Sequence, residues 1–366
     1  MMFLRRIIVR DFKIINSADL SFSPKINCIC GNNGEGKTCL LDAVYYLSMT
    51  KSFLSSSDRY TYSYGSSGAI LHGSYSGGTP SEEDVAVSVS SDGTKTVRRN
   101  GKTYKRLSDH IGRIPVVVTS PSDTSLIHDS GEERRRFLNM MISQMDPEYL
   151  RSVVAYNRLL KQRNAALRQE GTPGMLLDTI SERMCAPAEY VFGKRKEAVS
   201  MLAAKAGEFY RLISGGRENV ELRYRSDLDR MPPAELFAAS RQKDKVMGYT
   251  TSGVQRDDLE LVMDGHPLRK CASQGQQKSF LIALKMAQYQ VMSQSRETTP
   301  ILLFDDLFDK LDSLRVSSLI RMVVEGGFGQ IFITDTDRER LRRTVGGITD
   351  QGSFFNVASG VITEIN

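Results

Sequence analysis

Residues 31–38 have the residue types and spacing of a phosphate-binding loop. They fit the pattern G-x-x-x-x-G-K-[ST] and are Gly31, Asn32, Asn33, Gly34, Glu35, Gly36, Lys37 and Thr38. Glycines let backbone N–H groups close around an anion at the positive end of the following helix. We expect Lys37 to reach the β- and γ-phosphates of a nucleotide and Thr38 to offer its hydroxyl to Mg²⁺. A plain glycine-rich turn is the alternative.

A pair of adjacent acids could complete the metal site of such a loop. Asp305 and Asp306 follow the apolar run 301–304, and the carboxyl end of a parallel strand is where an acid would face the loop. We expect Asp305 to hold Mg²⁺, and Asp306 to orient or deprotonate the attacking water. Lys37 and Asp306 are therefore the predicted catalytic residues. A solvated helix cap is the alternative for the two carboxylates.

Residues 272–279 read ASQGQQKS and lead into an apolar pattern with helical spacing. Ser273 is a good N-cap residue, and Gly275 permits close approach of the backbone. No acid stands in the first turn, so the positive end of the helix is free for an anion. A polar helix cap without a ligand is the alternative.

The patterns around these residues predict strands that alternate with helices at both ends of the chain. Strands are expected over 3–9, 16–30, 84–90, 116–118, 259–263, 301–304 and 330–334, and helices over 38–47, after Ser273 and over 314–324. Asn100-Gly101 predicts a two-residue hairpin turn. Residues 131–215 take helical spacing, with a break expected near Pro187.

We therefore predict an α/β fold with a mixed sheet, interrupted by a mainly helical insertion. The expected divisions are residues 1–130, with the phosphate loop and a strand-rich lobe, residues 131–250, the helical insertion, and residues 251–366, with the polar helix start and the acid pair.

The composition fits a globular protein and excludes several other classes. The chain has 366 residues, 40% of them apolar, and a net charge of +6, a mild bias toward anionic partners. Five cysteines without a CxxC pair predict neither a disulfide framework nor a zinc site. Without a membrane span or a signal-peptide pattern, we expect a cytoplasmic protein that does not enter a membrane.

These motifs resemble the ATP-binding-cassette ATPases of the SMC and Rad50 group, and within it the RecF family. The resemblance covers most of the chain. It is carried by GNNGEGKTCLLDAVYYLSMTKSF, NGKTYKRLSDHIGRIPVVVTSPSDTSLI, GEERRRFLN, LLKQRN, GVQRDDL, ASQGQQKSFLIALKMA and PILLFDDLFDKLDSLR.

The resemblance implies that ATP lies between two copies of the chain, with Mg²⁺. Residues 272–279 match the family's signature motif, so Ser273, Gly275 and Gln276 would meet the nucleotide held by Lys37 and Thr38 of a partner copy. Asp312 matches the D-loop, and Thr334 follows the last core strand, where transporter cassettes usually carry a histidine. The fold implied is an ATP-binding-cassette ATPase head without a long coiled coil.

The resemblance also implies a function in recombinational repair and replication restart. An ATP-driven homodimer would clamp DNA at gaps or junctions of single strand and duplex. It would help load recombinase with a RecR-like mediator, and would hydrolyse ATP slowly with stimulation by DNA.

The chain departs from the family pattern at three positions. Gln255 stands where Pro-His usually precedes Arg-Asp-Asp, Leu54 where arginine is frequent, and Asn139 where aspartate follows Phe-Leu. For Asp257 and Asp258 a structural turn is favoured over a metal site, since one Mg²⁺ has ligands elsewhere.

Basic residues on the hairpin around Asn100-Gly101 are candidates for DNA contact. They are Lys95, Arg98, Arg99, Lys102, Lys105 and Arg106. A solvated charged face is the alternative. Arg134, Arg135 and Arg136 are further candidates, although they could pair with acids inside the structure.

Other machines with a phosphate loop remain as alternatives, of which the ATPase subunit of a transporter is the main one. Three features argue against a transporter subunit. They are Thr334 in place of the usual histidine, the SQGQQ signature and the helical insertion. A small-molecule kinase with a phosphate loop does not need a signature helix, so this alternative does not account for residues 272–279. A long-armed tether would need more than the 239 positions between Gly36 and Gly275.

Overall fold

The computed structural model describes residues 2–78, 81–295, 298–306, 313–349 and 352–365. The strands are β1 (Phe3–Phe12), β2 (Ile15–Ser21), β3 (Ile26–Cys30), β4 (Gly68–Ser76), β5 (Glu82–Ser90), β6 (Lys95–Arg99), β7 (Lys102–Thr103), β8 (Val116–Thr119), β9 (Val220–Arg225), β10 (Asp258–Met263), β11 (His266–Pro267), β12 (Ile301–Phe304), β13 (Ile331–Asp335), β14 (Gly352–Ala358) and β15 (Val361–Ile365). The helices are α1 (Lys37–Met49), α2 (Ser125–His128), α3 (Gly131–Met145), α4 (Pro147–Arg168), α5 (Gly174–Ser214), α6 (Pro233–Met247), α7 (Leu268–Cys271), α8 (Gln274–Ser295), α9 (Ser313–Glu325) and α10 (Arg338–Gly346).

The chain divides into two compact units. The split unit combines residues 1–123 with 288–366, and the inserted unit spans residues 124–287. The inserted unit begins seven residues before the predicted insertion at 131–250 and ends 37 residues after it. Strand β10 pairs with β9 from Asp258 to Met263, and this pairing keeps the segment in the inserted unit.

The split unit contains two sheets with α1 between them. One sheet is antiparallel, in the order β2-β1-β4-β5-β6-β7. The other has the order β15-β14-β3-β13-β12-β8, in which only β15 runs antiparallel to its neighbour. Helix α1 is buried from Leu40 to Met49 and contacts strands of both sheets. Because both of its sides are covered, this helix is apolar nearly all round.

Strand β3 leads from the centre of the mixed sheet to the phosphate loop. All five of its residues are buried, as expected for a parallel strand that is covered on both faces. The one polar residue, Asn27, is satisfied because its side chain exchanges hydrogen bonds with the backbone of Ser23 at 2.9 and 3.0 Å. A rigid, fully paired strand therefore ends where the loop begins.

The inserted unit is mainly helical, with α4 packed along the 41-residue helix α5 and a small sheet in the order β11-β10-β9. The break expected near Pro187 is wrong, because α5 runs through that residue. Proline removes one hydrogen bond from a helix. Its neighbours Met184, Ala188 and Val191 are at most 1% exposed, and packing of this face outweighs the missing bond.

No helix in the described part of the chain combines the length and the apolar character that crossing a membrane requires.

Candidate nucleotide-binding site

The loop from Gly31 to Gly36 has a backbone conformation that depends on its glycines. Gly31, Gly34 and Gly36 have φ angles of 156°, 84° and 115°, a region that residues with a Cβ rarely adopt. Helix α1 begins directly after the loop, with no acid in its first turn and no side-chain cap. The N–H groups of this helix end are therefore available to a phosphate.

The side chain of Lys37 contacts the phosphate loop. Its ammonium donates hydrogen bonds to the carbonyl oxygens of Gly31 and Asn32 at 2.8 and 2.9 Å, and the residue is only 5% exposed. These two carbonyls hold the Lys37 ammonium beside the loop. A bound phosphate could replace them as the hydrogen-bond acceptor of this ammonium.

The predicted metal ligands Thr38 and Asp305 lie side by side. The hydroxyl of Thr38 donates to Oδ1 of Asp305 at 2.9 Å, and Thr334 donates to the same oxygen at 2.9 Å. Asp305 follows directly after strand β12, and β13, which carries Thr334, lies between β12 and β3. The carboxyl ends of these parallel strands therefore bring the oxygens together.

These donors fit Mg²⁺, which prefers oxygen ligands and keeps several waters and phosphate oxygens in its shell. The described residues contain no group of three or more His, Cys, Asp or Glu that could hold a metal alone. Thr38 and Asp305 would therefore hold the ion together with a nucleotide.

Asp306 is positioned by its backbone. Its N–H donates to the hydroxyl of Thr334 at 2.8 Å, and its φ of 49° lies in the left-handed region. Its side chain is half-buried, and no ion pair joins it to a described residue. The backbone therefore places this carboxylate beside Asp305, within the same cluster as Thr334.

The same edge of the sheet carries residues that the sequence analysis missed. Strand β8 neighbours β12, and the carbonyl of Thr119 accepts a hydrogen bond from the N–H of Asp305 at 2.8 Å. Just beyond, the carboxylate of Asp123 accepts from the N–H of Ser120 at 2.7 Å. The polar run after the predicted strand 116–118 was the available signal, since strand ends on one edge converge.

The signature residues lie in the inserted unit, at the start of α8. Ser273 and Gln276 form a reciprocal cap: the Gln276 side chain accepts from the N–H of Ser273 at 2.7 Å, and the Ser273 hydroxyl accepts from the N–H of Gln276 at 3.3 Å. Gly275 is half-buried, and the first turn has no acid. Ser273 is exposed, and the side-chain amide of Gln276 donates to the carboxylate of Glu218 at 2.8 Å. Asp312, the predicted D-loop residue, lies outside the described residues.

The basic hairpin is formed as predicted, with Asn100 and Gly101 at φ angles of 48° and 77°. Its arginines and lysines divide into two groups. Arg99 is bound by both oxygens of Glu83 at 2.6 and 2.8 Å, and Lys95 pairs with Asp58 at 2.6 Å. Arg98, Lys102, Lys105 and Arg106 are exposed. Only this second group presents its charge to solvent.

The second acid pair is part of an ion-pair network in the inserted unit. Arg195, only 4% exposed, donates to Asp257 at 2.7 Å, and Arg134 donates to both oxygens of Asp258 at 2.7 and 3.0 Å. Arg135 donates to the carbonyl of Asp257 at 2.7 Å. These contacts support the structural interpretation of Asp257 and Asp258.

Two positions that depart from the family pattern take part in the same region. Asn139 accepts hydrogen bonds from Tyr149 and Arg195 at 2.6 and 3.1 Å. Gln255 accepts from the hydroxyl of Tyr156 and donates to the carbonyl of Ser252 at 2.9 Å. Leu54, in the split unit, is 46% exposed. The amides at 139 and 255 therefore serve local packing.

The cysteines near the phosphate loop are neutral thiols. Burial raises the pKa of Cys30 to about 11, and burial also raises the pKa of Cys28 and of Cys39. Cys28 and Cys30 are buried, Cys39 and Cys185 are half-buried, and Cys271 is exposed.

Comparison with known proteins agrees with this geometry. The family model "RecF/RecN/SMC N terminal domain" matches residues 3–350. The head domain of an Smc protein from Pyrococcus yayanosii shares the fold, with a TM-score of 0.61 over 100% of this chain and 97% of that chain at 14% identity. The fold and the phosphate loop thus define an ATPase head of the ATP-binding-cassette class.

Similarity in sequence is higher to one branch of this class. A DNA replication and repair protein RecF from Porphyromonas gingivalis is 41% identical over 362 residues, which are 99% of this chain and 100% of the relative. A RecF from Bacteroides fragilis is 40% identical over 365 residues, with 100% and 99% covered. A solved RecF with ATP, described as a recombination mediator of the RecFOR pathway, has a TM-score of 0.89 and 25% identity, with 100% and 98% covered.

The chain belongs to the RecF family. The predicted mixed-sheet ATPase head with a mainly helical insertion is confirmed, and the transporter alternative is not favoured.

Proposed function

We propose that the chain binds and hydrolyses ATP as a DNA-binding protein of recombinational repair and replication restart. The observation that carries this proposal is the cluster of Thr38, Asp305, Thr334 and Asp306 beside the phosphate loop, joined by hydrogen bonds of 2.8–2.9 Å. Membership of the RecF family supports the biological role, and a relative solved with ATP supports the nucleotide.

Each of these side chains has one task in the proposed reaction. Lys37 and the loop N–H groups bind the phosphates, while Thr38 and Asp305 hold Mg²⁺, which when bound neutralises phosphate charge. Asp306 accepts a hydrogen bond from the attacking water or takes its proton. Thr334 keeps Asp305 and the backbone of Asp306 in register through its single hydroxyl.

We propose further that two copies of the chain enclose two nucleotides. The start of α8, with the exposed Ser273, the half-buried Gly275 and Gln276, and no acid in its first turn, would meet the γ-phosphate held by a partner copy. Such a dimer would close around DNA at gaps or at junctions of single strand and duplex, and hydrolysis would release it. We propose slow turnover stimulated by DNA, a RecR-like partner, and the cytoplasm as the location, where bacterial DNA is repaired.

For DNA contact we propose the exposed group Arg98, Lys102, Lys105 and Arg106, and we give Arg99 a structural role beside Glu83. Changing the four exposed residues to alanine should weaken binding to a gapped duplex and lower its dependence on salt concentration. The measurement is fluorescence anisotropy on gapped and blunt duplexes, with and without ATP. Unchanged binding by the fourfold variant would remove the hairpin from the DNA surface.

Lys37→Ala tests the nucleotide site itself. The substitution removes a buried positive charge from the phosphate cradle, so ATP affinity should fall by about tenfold or more. Lys243→Ala, at an exposed lysine of α6, is the matched control and should bind ATP as the wild type does. Equal affinity of Lys37→Ala and wild type in titration calorimetry would show that the phosphate-loop assignment is wrong.

A further inference from the structure

The turn between β14 and β15 contacts the phosphate loop through Glu35. The N–H of Gly360 donates a hydrogen bond to the backbone carbonyl of Glu35 at 2.9 Å. The N–H of Ser359 donates to the carboxylate of the same residue. One residue of the loop thus accepts from two successive N–H groups near the C-terminal end of the chain.

The geometry of this turn explains why two N–H groups are available. Ser359 and Gly360 have φ angles of 48° and 77°, and Ala358 pairs with Val361, which makes a two-residue hairpin turn. The N–H groups of the two central residues have no partner within such a hairpin, and that of the buried Gly360 needs one inside the protein. Glu35 supplies both acceptors.

The fit between hairpin and loop is tight on both sides of this contact. A Cβ at Gly360 would lie 2.2 Å from the carbonyl oxygen of Ile14, and a Cβ at Gly31 would lie 2.3 Å from that of Val357. Neither position can take a side chain without a shift of the backbone. The hairpin is therefore packed directly against the first residue of the loop and against the β1–β2 turn.

Besides the hairpin, Lys37 holds the start of the phosphate loop through the carbonyls of Gly31 and Asn32, while the middle of the loop is open to solvent. Asn32, Asn33 and Gly34 are exposed, and three glycines of the loop have positive φ angles. Binding to such a segment costs less free energy when its conformation is already set. The carboxylate of Glu35 also carries a negative charge close to a site for phosphates, and the hydrogen bond from Ser359 holds that charge on the hairpin side.

We infer that Glu35 is a positioning residue, which ties the β14–β15 hairpin to the phosphate loop and presets the loop for the phosphates of ATP. The inference rests on the proposed ATP site. It gives the residues after β14 a part in nucleotide binding, although none of them belongs to a nucleotide-binding motif. Glu35 acts on the nucleotide only through the loop backbone.

Two substitutions at Glu35 separate its charge from its hydrogen bond. Glu35→Gln removes the charge and keeps an acceptor for the N–H of Ser359. Glu35→Ala removes both, and its affinity for ATP should be about fivefold lower than that of Glu35→Gln. Calorimetric titration with Mg-ATP measures both. Equal affinities of the two variants would overturn the inference.

A substitution on the hairpin side tests the same contact from the other partner. Gly360→Ala forces the turn away from Ile14 and should weaken ATP binding at least as much as Glu35→Ala. Gly101→Ala is the matched control, because Gly101 has the same φ of 77° in a two-residue turn and no atom within 4 Å of its Cβ position. It should have the same backbone strain and unchanged ATP affinity. Equal effects of the two substitutions would contradict the inference.

Hydrogen exchange gives a readout that does not depend on ATP. In the nucleotide-free protein, the N–H groups of Ser359 and Gly360 should exchange faster in Glu35→Ala than in Glu35→Gln, while the β6–β7 turn stays unchanged. Equal exchange in both variants would count against the contact. If Lys37→Ala binds ATP normally, the proposed function fails. If Lys37→Ala loses ATP and the two Glu35 variants do not differ, only this inference fails.

Discussion

Asp257-Asp258 in the inserted unit and Asp305-Asp306 in the split unit are the same dipeptide in two chemical surroundings. The first pair is held by cations. Arg195 lies 2.7 Å from Asp257, and Arg134 binds Asp258 through two hydrogen bonds. The charge of each carboxylate is compensated within the protein, and the pair belongs to the packing of the inserted unit.

The second pair is held by hydroxyl groups. Asp305 accepts from Thr38 and Thr334, and Asp306 is fixed through its own N–H by Thr334. These contacts place both residues beside the phosphate loop, where a metal ion and an attacking water would bind. The difference teaches that the partners of an acid pair decide between a structural and a chemical role.

The burial of the first pair predicts the largest effect of a single substitution. Asp257→Asn leaves the always-charged guanidinium of Arg195 buried without its counterion, and should lower the free energy of unfolding by about 3–5 kcal/mol. Urea unfolding of the full chain measures this. Asp227→Asn, at an exposed aspartate of the same unit, is the control and should change stability by less than about 0.5 kcal/mol. Similar losses of stability in Asp257→Asn and Asp227→Asn would show that the buried ion pair of Asp257 with Arg195 does not stabilise the fold.

The same substitution in the other pair should act on turnover instead of stability. Asp306→Asn removes the base for the attacking water, and ATP hydrolysis should fall by about 100-fold, equivalent to about 2.7 kcal/mol. ATP affinity and the free energy of unfolding should stay near their wild-type values, because no described residue pairs with this carboxylate. Steady-state hydrolysis with gapped DNA is the measurement. If Asp306→Asn hydrolysed ATP at the wild-type rate, Asp306 would not be the base that activates the attacking water.

Asp258 should give the smallest effect, with a pH dependence of known sign. Burial acts to raise the pKa of Asp258, but the hydrogen bonds and charge of Arg134 outweigh it and hold that pKa below its ordinary value. The ionised form therefore stabilises the fold above the unfolded pKa of about 3.9, and this stabilisation is lost as the pH falls through the lower folded pKa.

Asp258→Asn should thus cost about 1 kcal/mol at neutral pH, a value discounted because the side chain is 35% exposed. The difference from wild type should be constant down to about pH 5 and shrink below about pH 4. Thermal unfolding across this range tests it. A difference that grows toward low pH would show that Arg134 does not hold the ionised form.

The sequence predicted those parts of the site that depend on local pattern. The phosphate loop needs glycines at fixed spacing, and Asp305 and Asp306 follow an apolar strand, so both could be placed from residue types alone. The resemblance to the RecF family supplied the role of Ser273, which local pattern allows but does not require. The Asn100-Gly101 turn was predicted for the same local reason.

The parts that the sequence did not predict depend on contacts between distant segments. Thr334 lies at the end of a predicted strand, but nothing local shows that its hydroxyl contacts both Asp305 and the N–H of Asp306. Glu35 reads as a variable position of the loop motif until the turn at Ser359 is placed beside it. Pro187 predicts a break from local chemistry alone, and the packing of α5 overrides that preference.

The central claim is that ATP joins two copies of the chain through the start of α8. Light scattering on the wild type and on Ser273→Arg, with and without Mg-ATP, tests it directly, and Ser130→Arg at the N-cap of α3 is a matched loss of a capping serine. We predict that the wild type and Ser130→Arg form dimers only when ATP is present. Ser273→Arg should bind ATP but stay monomeric. A Ser273→Arg dimer equal to the wild type, or a wild type that stays monomeric with ATP, would contradict the account.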